Sequence, residues 1–255
     1  MIFRVLGCSG SESDRNHPCS FLAGEKILVD MGSAASRLTI HEQTKITDVL
    51  LSHAHLDHTK DVAFFSENIF SRIHSPVTVR GTPDTIRKLN EHLLNNEIWP
   101  DFSILPTVSN SVLKYETFEP GKPLRLDGVE VTSVPVNHPG GCVGFLFKSA
   151  TGTIVYSGDT GPTEDLWKEV NRRGKEIKGI LLETSFPNRL QKVADVSGHH
   201  TPATMSQEVK KFSGIDCPIF VYHIKSPYRE ETVRELEGLD EPRLRILEAG
   251  MTINF

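Results

Sequence analysis

Three histidines and one aspartate fall within six residues of this chain, between His53 and His58. They follow the apolar run Val49-Leu50-Leu51, which predicts a buried strand that leads into a loop. Residues two apart on an extended segment point the same way, so His53 and His55 can converge on one point. Asp57 and His58 come where the chain must turn and can face a second point nearby. Imidazole nitrogens and carboxylate oxygens are ligands that zinc and similar metals prefer, so this stretch predicts a metal centre.

Other apolar runs of the chain also end at a histidine or an aspartate. The runs Val134-Pro135-Val136, Ile154-Val155-Tyr156 and Ile219-Phe220-Val221 lead to His138, Asp159 and His223, respectively. In layered α/β proteins the residues just beyond the carboxyl ends of the strands line the ligand crevice. The sequence therefore predicts that these side chains gather with the histidine-rich stretch on one edge of the molecule.

The candidate ligands divide into two sets that could hold two metal ions. His53, His55 and His138 could hold one ion, Asp57, His58 and His223 could hold the other, and Asp159 could bridge the two. Two divalent ions, two carboxylates and one hydroxide leave about one net positive charge, which suits an anionic substrate such as a phosphodiester. Two metals about 3.5–4 Å apart can lower the pKa of a shared water and clamp both the attacking and the leaving oxygen.

Length and composition are those of a soluble globular protein. The chain has 255 residues, 38% of them hydrophobic and 24% charged, with a formal net charge of −5. This charge argues against a polybasic surface for nucleic acid or anionic lipid, and no apolar run approaches the roughly 20 residues of a membrane helix. The chain starts directly as a strand, without a basic and then apolar leader, which favours a cytoplasmic location. Without a linker or a low-complexity segment, we predict a single domain over residues 1–255.

The predicted elements run from strands to helices twice, which favours an α/β fold with two sheets packed together and helices outside. Thr59 is expected to cap a helix that runs to about His74, and Thr82-Pro83 is expected to begin the next helix. Asp127-Gly128 predicts the two-residue turn of a hairpin. Thr163 is expected to cap a later helix, and a last pair of strands is expected to finish the chain.

A long polar loop, rich in glycine and serine, separates the first two predicted strands. It runs from Gly7 to Cys19. Loops of this length are uncommon inside compact domains and are often functional.

With these residues in view, the chain resembles the metallo-β-lactamase superfamily. The resemblance spans the whole chain and rests on the motif His53-Ala54-His55-Leu56-Asp57-His58, followed by His138, Asp159 and His223. It implies an αβ/βα sandwich of four layers, in which two mixed β-sheets pack face to face with helices outside. It also implies two divalent metal ions on one edge, usually zinc, with manganese or iron as alternatives.

Three further blocks resemble the class II 3′,5′-cyclic-nucleotide phosphodiesterases in order and spacing. They are Ile98-Trp99-Pro100-Asp101-Phe102, Glu183-Thr184-Ser185-Phe186-Pro187-Asn188 and Ser197-Gly198-His199-His200-Thr201-Pro202, with His223-Ile224-Lys225 after them. His200 stands where that family commonly has an apolar residue, and Ser226 where it commonly has proline. The resemblance implies that a hydroxide bridging two metals hydrolyses cyclic AMP or cyclic GMP to the 5′-nucleotide. A homodimer is a further expectation from the family.

Several residues beside the ligands become candidates for catalysis and substrate binding. His199 could protonate the leaving ribose 3′ oxygen, because an imidazole titrates in the useful range; the alternative is a polar loop histidine. Glu183 could orient a ligand histidine or be an ordinary strand-end carboxylate. Asp57 is assigned to the catalytic residues as well as to the ligands. His200 could contact the base or the phosphate, and Lys225 could contact the phosphate or be a solvated lysine.

Other functions of the same superfamily compete with this hypothesis. A tRNA 3′-end endonuclease has a similar glutamate strand end and His-x-Thr block, but it must hold a polyanion, usually through a basic arm. This chain is acidic and has no Gly/Lys-rich insertion, so a small-molecule substrate is favoured over nucleic acid. A thioester or lactam hydrolase would share the ligands but would not explain the three extra blocks. A nucleotide-binding sensor without catalysis would be expected to lack a ligand, and all seven are present here.

Overall fold

The first sheet of the computed structural model, which describes residues 1–212 and 214–254, has seven strands. They are β1 (Ile2–Gly7), β2 (Ser20–Ala23), β3 (Ile27–Val29), β4 (Asp48–Leu50), β5 (Val77–Gly81), β8 (Leu113–Thr117) and β16 (Thr252–Asn254), arranged in the order β16-β1-β2-β3-β4-β5-β8. Strands β3, β4, β5 and β8 are parallel to one another, and β2 runs antiparallel to both of its neighbours. This sheet therefore combines a hairpin-like start with a parallel half.

The second sheet also has seven strands and comes from the second half of the chain. They are β9 (Leu124–Leu126), β10 (Val129–Pro135), β11 (Val143–Lys148), β12 (Thr153–Tyr156), β13 (Ile177–Glu183), β14 (Ile219–Tyr222) and β15 (Leu244–Ile246), side by side in chain order. Strands β12, β13, β14 and β15 are parallel. Because β10 and β12 both pair antiparallel with β11, β10 runs in the same direction as β12 and ends at the same edge.

The helices lie between the strands of each half. They are α1 (Ala34–Arg37), α2 (Ile40–Gln43), α3 (Leu56–Thr59), α4 (Asp61–Ile69), α5 (Pro83–His92), α6 (Asp165–Arg173), α7 (Gln191–Ser197), α8 (Pro202–Lys210) and α9 (Arg229–Glu237). A small hairpin, β6 (Pro106–Thr107) with β7 (Asn110–Ser111), stands apart from the large sheets. Across the described ranges, every helix is too short or too polar to span a membrane.

Three apolar clusters define the layers. The middle cluster joins the two sheets: the Phe21 ring of the first lies 5.4 Å from Tyr156 and 5.7 Å from Tyr222 of the second, centroid to centroid. A second cluster packs α4 and α5 on the first sheet, and a third packs α6 and α8 on the second. In the third, Trp167 and Phe212 lie 4.7 Å apart. Burial of aromatic surface on both faces of each sheet holds the helix–sheet–sheet–helix arrangement together.

Two of the predicted local signals are confirmed. The side chain of Thr82 accepts a hydrogen bond from the backbone N–H of Thr85, with Pro83 at the start of α5. Asp127 and Gly128 join β9 to β10 with φ of 43° and 80°, as a turn with two left-handed residues requires.

Three other local predictions were wrong. A helix begins at Leu56 rather than after Thr59, because the extended His55 already serves as its N-cap; α4 then ends at Ile69, before His74. Thr163 does not cap α6, because Glu164 occupies the N-cap position, without a side-chain cap bond; the Thr163 N–H donates to the buried Glu208 carboxylate. The last two strands are not a pair, because β15 joins β14 while β16 joins β1 in the other sheet.

Candidate metal centre

The first ligand set, His53, His55 and His138, comes together at the edge where β4 and β10 end. One ring nitrogen from each of the three lies within 4.8 Å of the others. His138 Nε2 lies 3.2 Å from His55 Nδ1, and His53 and His138 are buried whereas His55 is exposed. The structure thus brings the three predicted histidines to one point, with His55 on the open side.

The second ligand set, Asp57, His58 and His223, converges beside the first. His58 Nε2 and His223 Nε2 are 3.2 Å apart. Asp57 Oδ2 lies 3.4 Å from His223 Nε2 and 4.0 Å from His58 Nε2. These residues come from the start of α3 and from the end of β14, so the site joins the two sheets.

Asp159 lies between the two ligand sets. Its Oδ2 is 3.1 Å from His223 Nε2, 3.2 Å from His58 Nε2 and 3.7 Å from His53 Nε2. The side chain is 1% exposed, so it faces the ligands and not bulk water. One carboxylate oxygen of Asp159 thus lies close to histidines of both sets.

A buried carboxylate, Asp30, orients two of the histidines. His58 Nδ1 donates to Asp30 Oδ2 at 2.8 Å. His53 Nδ1 lies 3.0 Å from the Ser52 hydroxyl, which donates to the same Oδ2 at 2.8 Å. Tyr156 adds a third donor at 2.6 Å. Because the Nδ1 atoms point outward to this network, the Nε2 atoms point into the site.

A second buried carboxylate, Glu183, orients two further histidines. His199 Nδ1 donates to Glu183 Oε1 at 2.7 Å, and the Thr160 N–H donates to that oxygen at 3.1 Å. His223 Nδ1 lies 2.8 Å from the Ser185 hydroxyl, which donates to Glu183 Oε2 at 3.2 Å. Each of the two buried carboxylates thus holds one histidine directly and one through a serine.

A left-handed glycine positions His138. His138 Nδ1 donates to the Gly198 carbonyl at 2.9 Å, which leaves Nε2 free to face the first set. Gly198 ends α7 with φ of 66°, and a Cβ atom there would lie 2.6 Å from Pro139 Cδ. Both the conformation and the close approach require glycine at this point.

Protonation differs between the two sets. Burial lowers the pKa of all three histidines of the first set, so they are neutral and carry lone pairs. Burial would also lower the pKa of His58 and His223, but the nearby carboxylates, Asp159 first among them, together outweigh it and raise both. Burial would raise the pKa of Asp159, yet the charges of His223 and His58 hold it well below its usual range.

The chemistry of the donors fits divalent metal ions. In the part of the chain that the structure describes, His53 Nε2 and Asp159 Oδ1 are buried without a hydrogen-bond partner. Buried polar atoms are rarely left in this state, and lone pairs that face one another repel. A cation between the nitrogen and oxygen donors would satisfy them, and imidazole with carboxylate is a ligand combination typical of zinc and related metals.

The remaining predicted residues take different positions. Lys225 Nζ lies 3.6 Å from Asp57 Oδ2 and donates to the Gly10 carbonyl at 2.6 Å, so it faces the site and not only solvent. His200 is 0% exposed, and its Nδ1 lies 3.3 Å from Thr204 Oγ1. This burial places His200 behind Glu183, and its contact with substrate stays a prediction.

Sequence reasoning missed the residues that orient the ligands. Asp30 directly follows β3, so the rule that polar residues after apolar strands line the site would have found it. Ser52 and Ser185 carried no signal of their own. The Cys19 thiol also lies within 4.8 Å of the nearest nitrogens of His58 and His223, but burial raises its pKa well above the usual value, so it is a neutral thiol.

Comparison with solved structures defines the fold. The metallo-beta-lactamase fold protein YhfI from Bacillus subtilis aligns with a TM-score of 0.78 at 18% identity, over 99% of each chain. Unliganded yeast PDE1 aligns with a TM-score of 0.82 at 20% identity, over 98% of each chain. The chain therefore has the metallo-β-lactamase fold, as the sequence predicted.

The family follows from the sequence comparisons. The model of the family described as cAMP phosphodiesterases class-II matches residues 27–250, and the chain belongs to that family. A probable 3′,5′-cyclic-nucleotide phosphodiesterase of Yersinia pestis is 29% identical over 220 residues, which cover 75% of this chain and 61% of that relative. The chain thus spans less than two thirds of the length of this relative.

Proposed function

We propose that this protein hydrolyses 3′,5′-cyclic nucleotides, cyclic AMP or cyclic GMP, to 5′-nucleotides at the edge where the two ligand sets meet. The observation that carries the proposal is Asp159, whose one carboxylate oxygen lies within 3.7 Å of histidines from both sets. Membership of the class II family directs the chemistry to a cyclic phosphodiester. The aromatic core shared by the two sheets supports reading residues 1–255 as one domain.

Two divalent cations, zinc first and manganese or iron as alternatives, would supply a hydroxide nucleophile at neutral pH and neutralise charge on the phosphodiester when bound to these sets. The chain holds the donors ready for this. Asp30 and Glu183 fix the outward protons of four histidines, so that the inward nitrogens need no rearrangement.

His199 is placed to protonate the ribose 3′ oxygen as it leaves. With Nδ1 held by Glu183, its Nε2 is free, and its ring lies 4.8 Å from His138 and 5.2 Å from His223. Burial would raise the pKa of Glu183, but the charges of His199, His223 and His200 and the hydrogen bond from His199 together lower it, so Glu183 is an anion beside the His199 ring. The proton passes from His199 Nε2 to the alkoxide and is then replaced from solvent.

Asp57 and Lys225 form the open side of the second set. The Asp57 side chain is 25% exposed, so one side of its carboxylate can bind a metal ion and the other can contact water or substrate. The Lys225 ammonium, 3.6 Å away, can contact a non-bridging phosphate oxygen once substrate approaches. The substrate that these two residues favour is thus a small anionic molecule. A cytoplasmic location and a homodimer stay predictions.

A substrate panel tests the proposal. The metal-loaded protein, with its metal content measured, should convert cyclic AMP or cyclic GMP to the 5′ monophosphate in a chromatographic assay. Asp159→Ala should lose both metal and activity, since its carboxylate serves both sets, whereas the exposed Asp216→Asn should behave as the wild type. Cleavage of precursor tRNA or of a thioester, with both cyclic nucleotides left intact, would refute the proposal.

A further inference from the structure

A second feature opens directly beside the metal centre. It is a cavity of about 630 Å³, lined by Phe186, Lys225, Tyr228 and the loop segment 11–16, and we call it the aromatic cleft. The Phe186 and Tyr228 rings lie 6.1 Å apart with 48° between their planes. The cleft therefore offers two aromatic surfaces, with the hydroxyl, amide and carboxylate groups of the loop opposite them.

The loop wall of the aromatic cleft is fixed to the segment after β14. The Ser226 N–H donates to Ser11 Oγ at 2.8 Å, and the Ser226 hydroxyl donates to the Ser11 carbonyl at 3.1 Å. Lys225 Nζ donates to the Gly10 carbonyl at 2.6 Å. Serine at position 226, where a proline is common in the family, supplies the N–H that a proline would lack. The long first loop is thus held in place as one wall of a preformed cleft.

The aromatic cleft and the metal centre share residues at their border. The Phe186 ring lies 5.8 Å from the His199 ring, and Lys225 Nζ lies 3.6 Å from Asp57 Oδ2. A cyclic nucleotide whose phosphate lies between the two ligand sets would have its ribose at the mouth of the cleft. Its base would then extend into the space between Phe186 and the loop.

We propose that the aromatic cleft binds the base of the nucleotide, which stacks against Phe186 and Tyr228. This rests on the proposed function. Aromatic side chains bind bases by stacking, because every base has a flat π face. The Arg189 guanidinium lies 5.5 Å from the centre of the Tyr228 ring and pairs with Glu231, so a cation borders this ring.

A competing cavity lies on the other side of the metal centre. It has a volume of about 380 Å³ and is lined by Leu56, Lys88, His92 and Leu93 beside His53 and His55. Among the described residues that line it, none is a phenylalanine, tyrosine or tryptophan. It therefore offers less for stacking than the aromatic cleft, and it supplies the control for the experiment.

The test separates base binding from chemistry. Phe186→Leu and Tyr228→Leu should each raise KM for cyclic AMP and cyclic GMP about tenfold. For ribose 3′,5′-cyclic phosphate, which lacks a base, kcat/KM should stay at the wild-type value. Phe186→Tyr should retain stacking and wild-type KM. His92→Gln, in the competing cavity, should leave KM unchanged.

A binding measurement makes the outcome independent of turnover. Calorimetry of the metal-loaded variants with 5′-AMP and with ribose 5-phosphate should show about tenfold weaker binding of 5′-AMP alone in Phe186→Leu. If the wild type hydrolyses no cyclic nucleotide, the proposed function fails. The 5′-AMP affinities then still show whether the aromatic cleft binds a base. Unchanged KM and Kd in both leucine variants, or a larger effect of His92→Gln, would overturn the base-binding assignment while the proposed function stands.

Discussion

Replacing Asp30 by asparagine should weaken metal binding although Asp30 belongs to neither ligand set. Its Oδ2 accepts from His58 Nδ1, from the Ser52 hydroxyl and from the Tyr156 hydroxyl, and its Oδ1 accepts from the Ser52 N–H. An amide is almost the same size, but either of its orientations turns an N–H toward one of these donors. With the NH2 at the Oδ2 position, the two hydroxyls can rotate and accept, whereas the imidazole can do so only by moving its proton to Nε2. With the NH2 at the Oδ1 position, it meets the Ser52 backbone N–H, which cannot rotate.

The expected loss of metal affinity follows from that proton shift. With the proton on Nε2, His58 has no lone pair for the second set until the tautomer is restored. Loss of a partner that orients a ligand histidine usually costs 10–100-fold in affinity, or about 1.4–2.7 kcal/mol. The metal-free protein also loses a hydrogen bond to a charged group, which should lower its free energy of unfolding by about 2 kcal/mol.

Competition with a chromophoric chelator would measure the zinc affinity, and urea unfolding of the metal-free protein would measure stability. Tyr156→Phe is the matched control, because it removes one bond to the same oxygen at 2.6 Å but leaves the His58 tautomer unchanged. It should cost about 2 kcal/mol of stability and keep wild-type affinity. If Asp30→Asn binds zinc as tightly as Tyr156→Phe, the reasoning about the tautomer is wrong.

Two further predictions concern catalysis and pH. His199→Gln should lower kcat for cyclic AMP about 10²–10⁴-fold at unchanged metal content, yet lower it much less for a p-nitrophenyl phosphodiester, whose leaving group needs no proton; an equal loss on both substrates would contradict the acid role. Glu42 has its pKa lowered from 4.5 to about 2 by its bonds to Arg4 and then to Thr39. A lowered carboxyl pKa stabilises the fold above pH 4.5 and ceases to do so as the pH falls toward 2. Glu42→Gln should therefore lower the free energy of unfolding by roughly 0.5–1 kcal/mol at about pH 7 and by less at about pH 3, and an equal difference at both pH values in urea unfolding would contradict this.

The sequence determined the candidate ligands because their signals are local. The residue that follows an apolar strand lies near the edge of the sheet. This rule predicted that His53, His138, Asp159 and His223 lie close together, as they do in the structure. The same local logic gave the Asp127-Gly128 turn, where φ is positive at both residues.

Local patterns failed where the partner of a segment lies far along the chain. Strand β8 is not among the predicted elements; its five residues alternate in polarity, a pattern typical of a strand, but pairing with β5 decides its place in the sheet. The sequence predicts the final strands as a pair, because nothing near Thr252–Asn254 encodes the pairing of this segment with β1. In both cases hydrogen bonding to a distant neighbour decides the structure, not propensity.

What the tertiary structure alone decided is which atom of each residue faces the site. A histidine in the sequence offers two nitrogens, and the choice depends on a bond to the other one. Asp30 lies 28 residues from His58, and Ser185 lies 38 residues from His223, so folding makes these contacts. Likewise, 215 residues separate Ser11 from Ser226, and only the packing of β14 beside the first loop forms the aromatic cleft. The sequence contains the donor residues, and long-range hydrogen bonds orient their side chains toward the site.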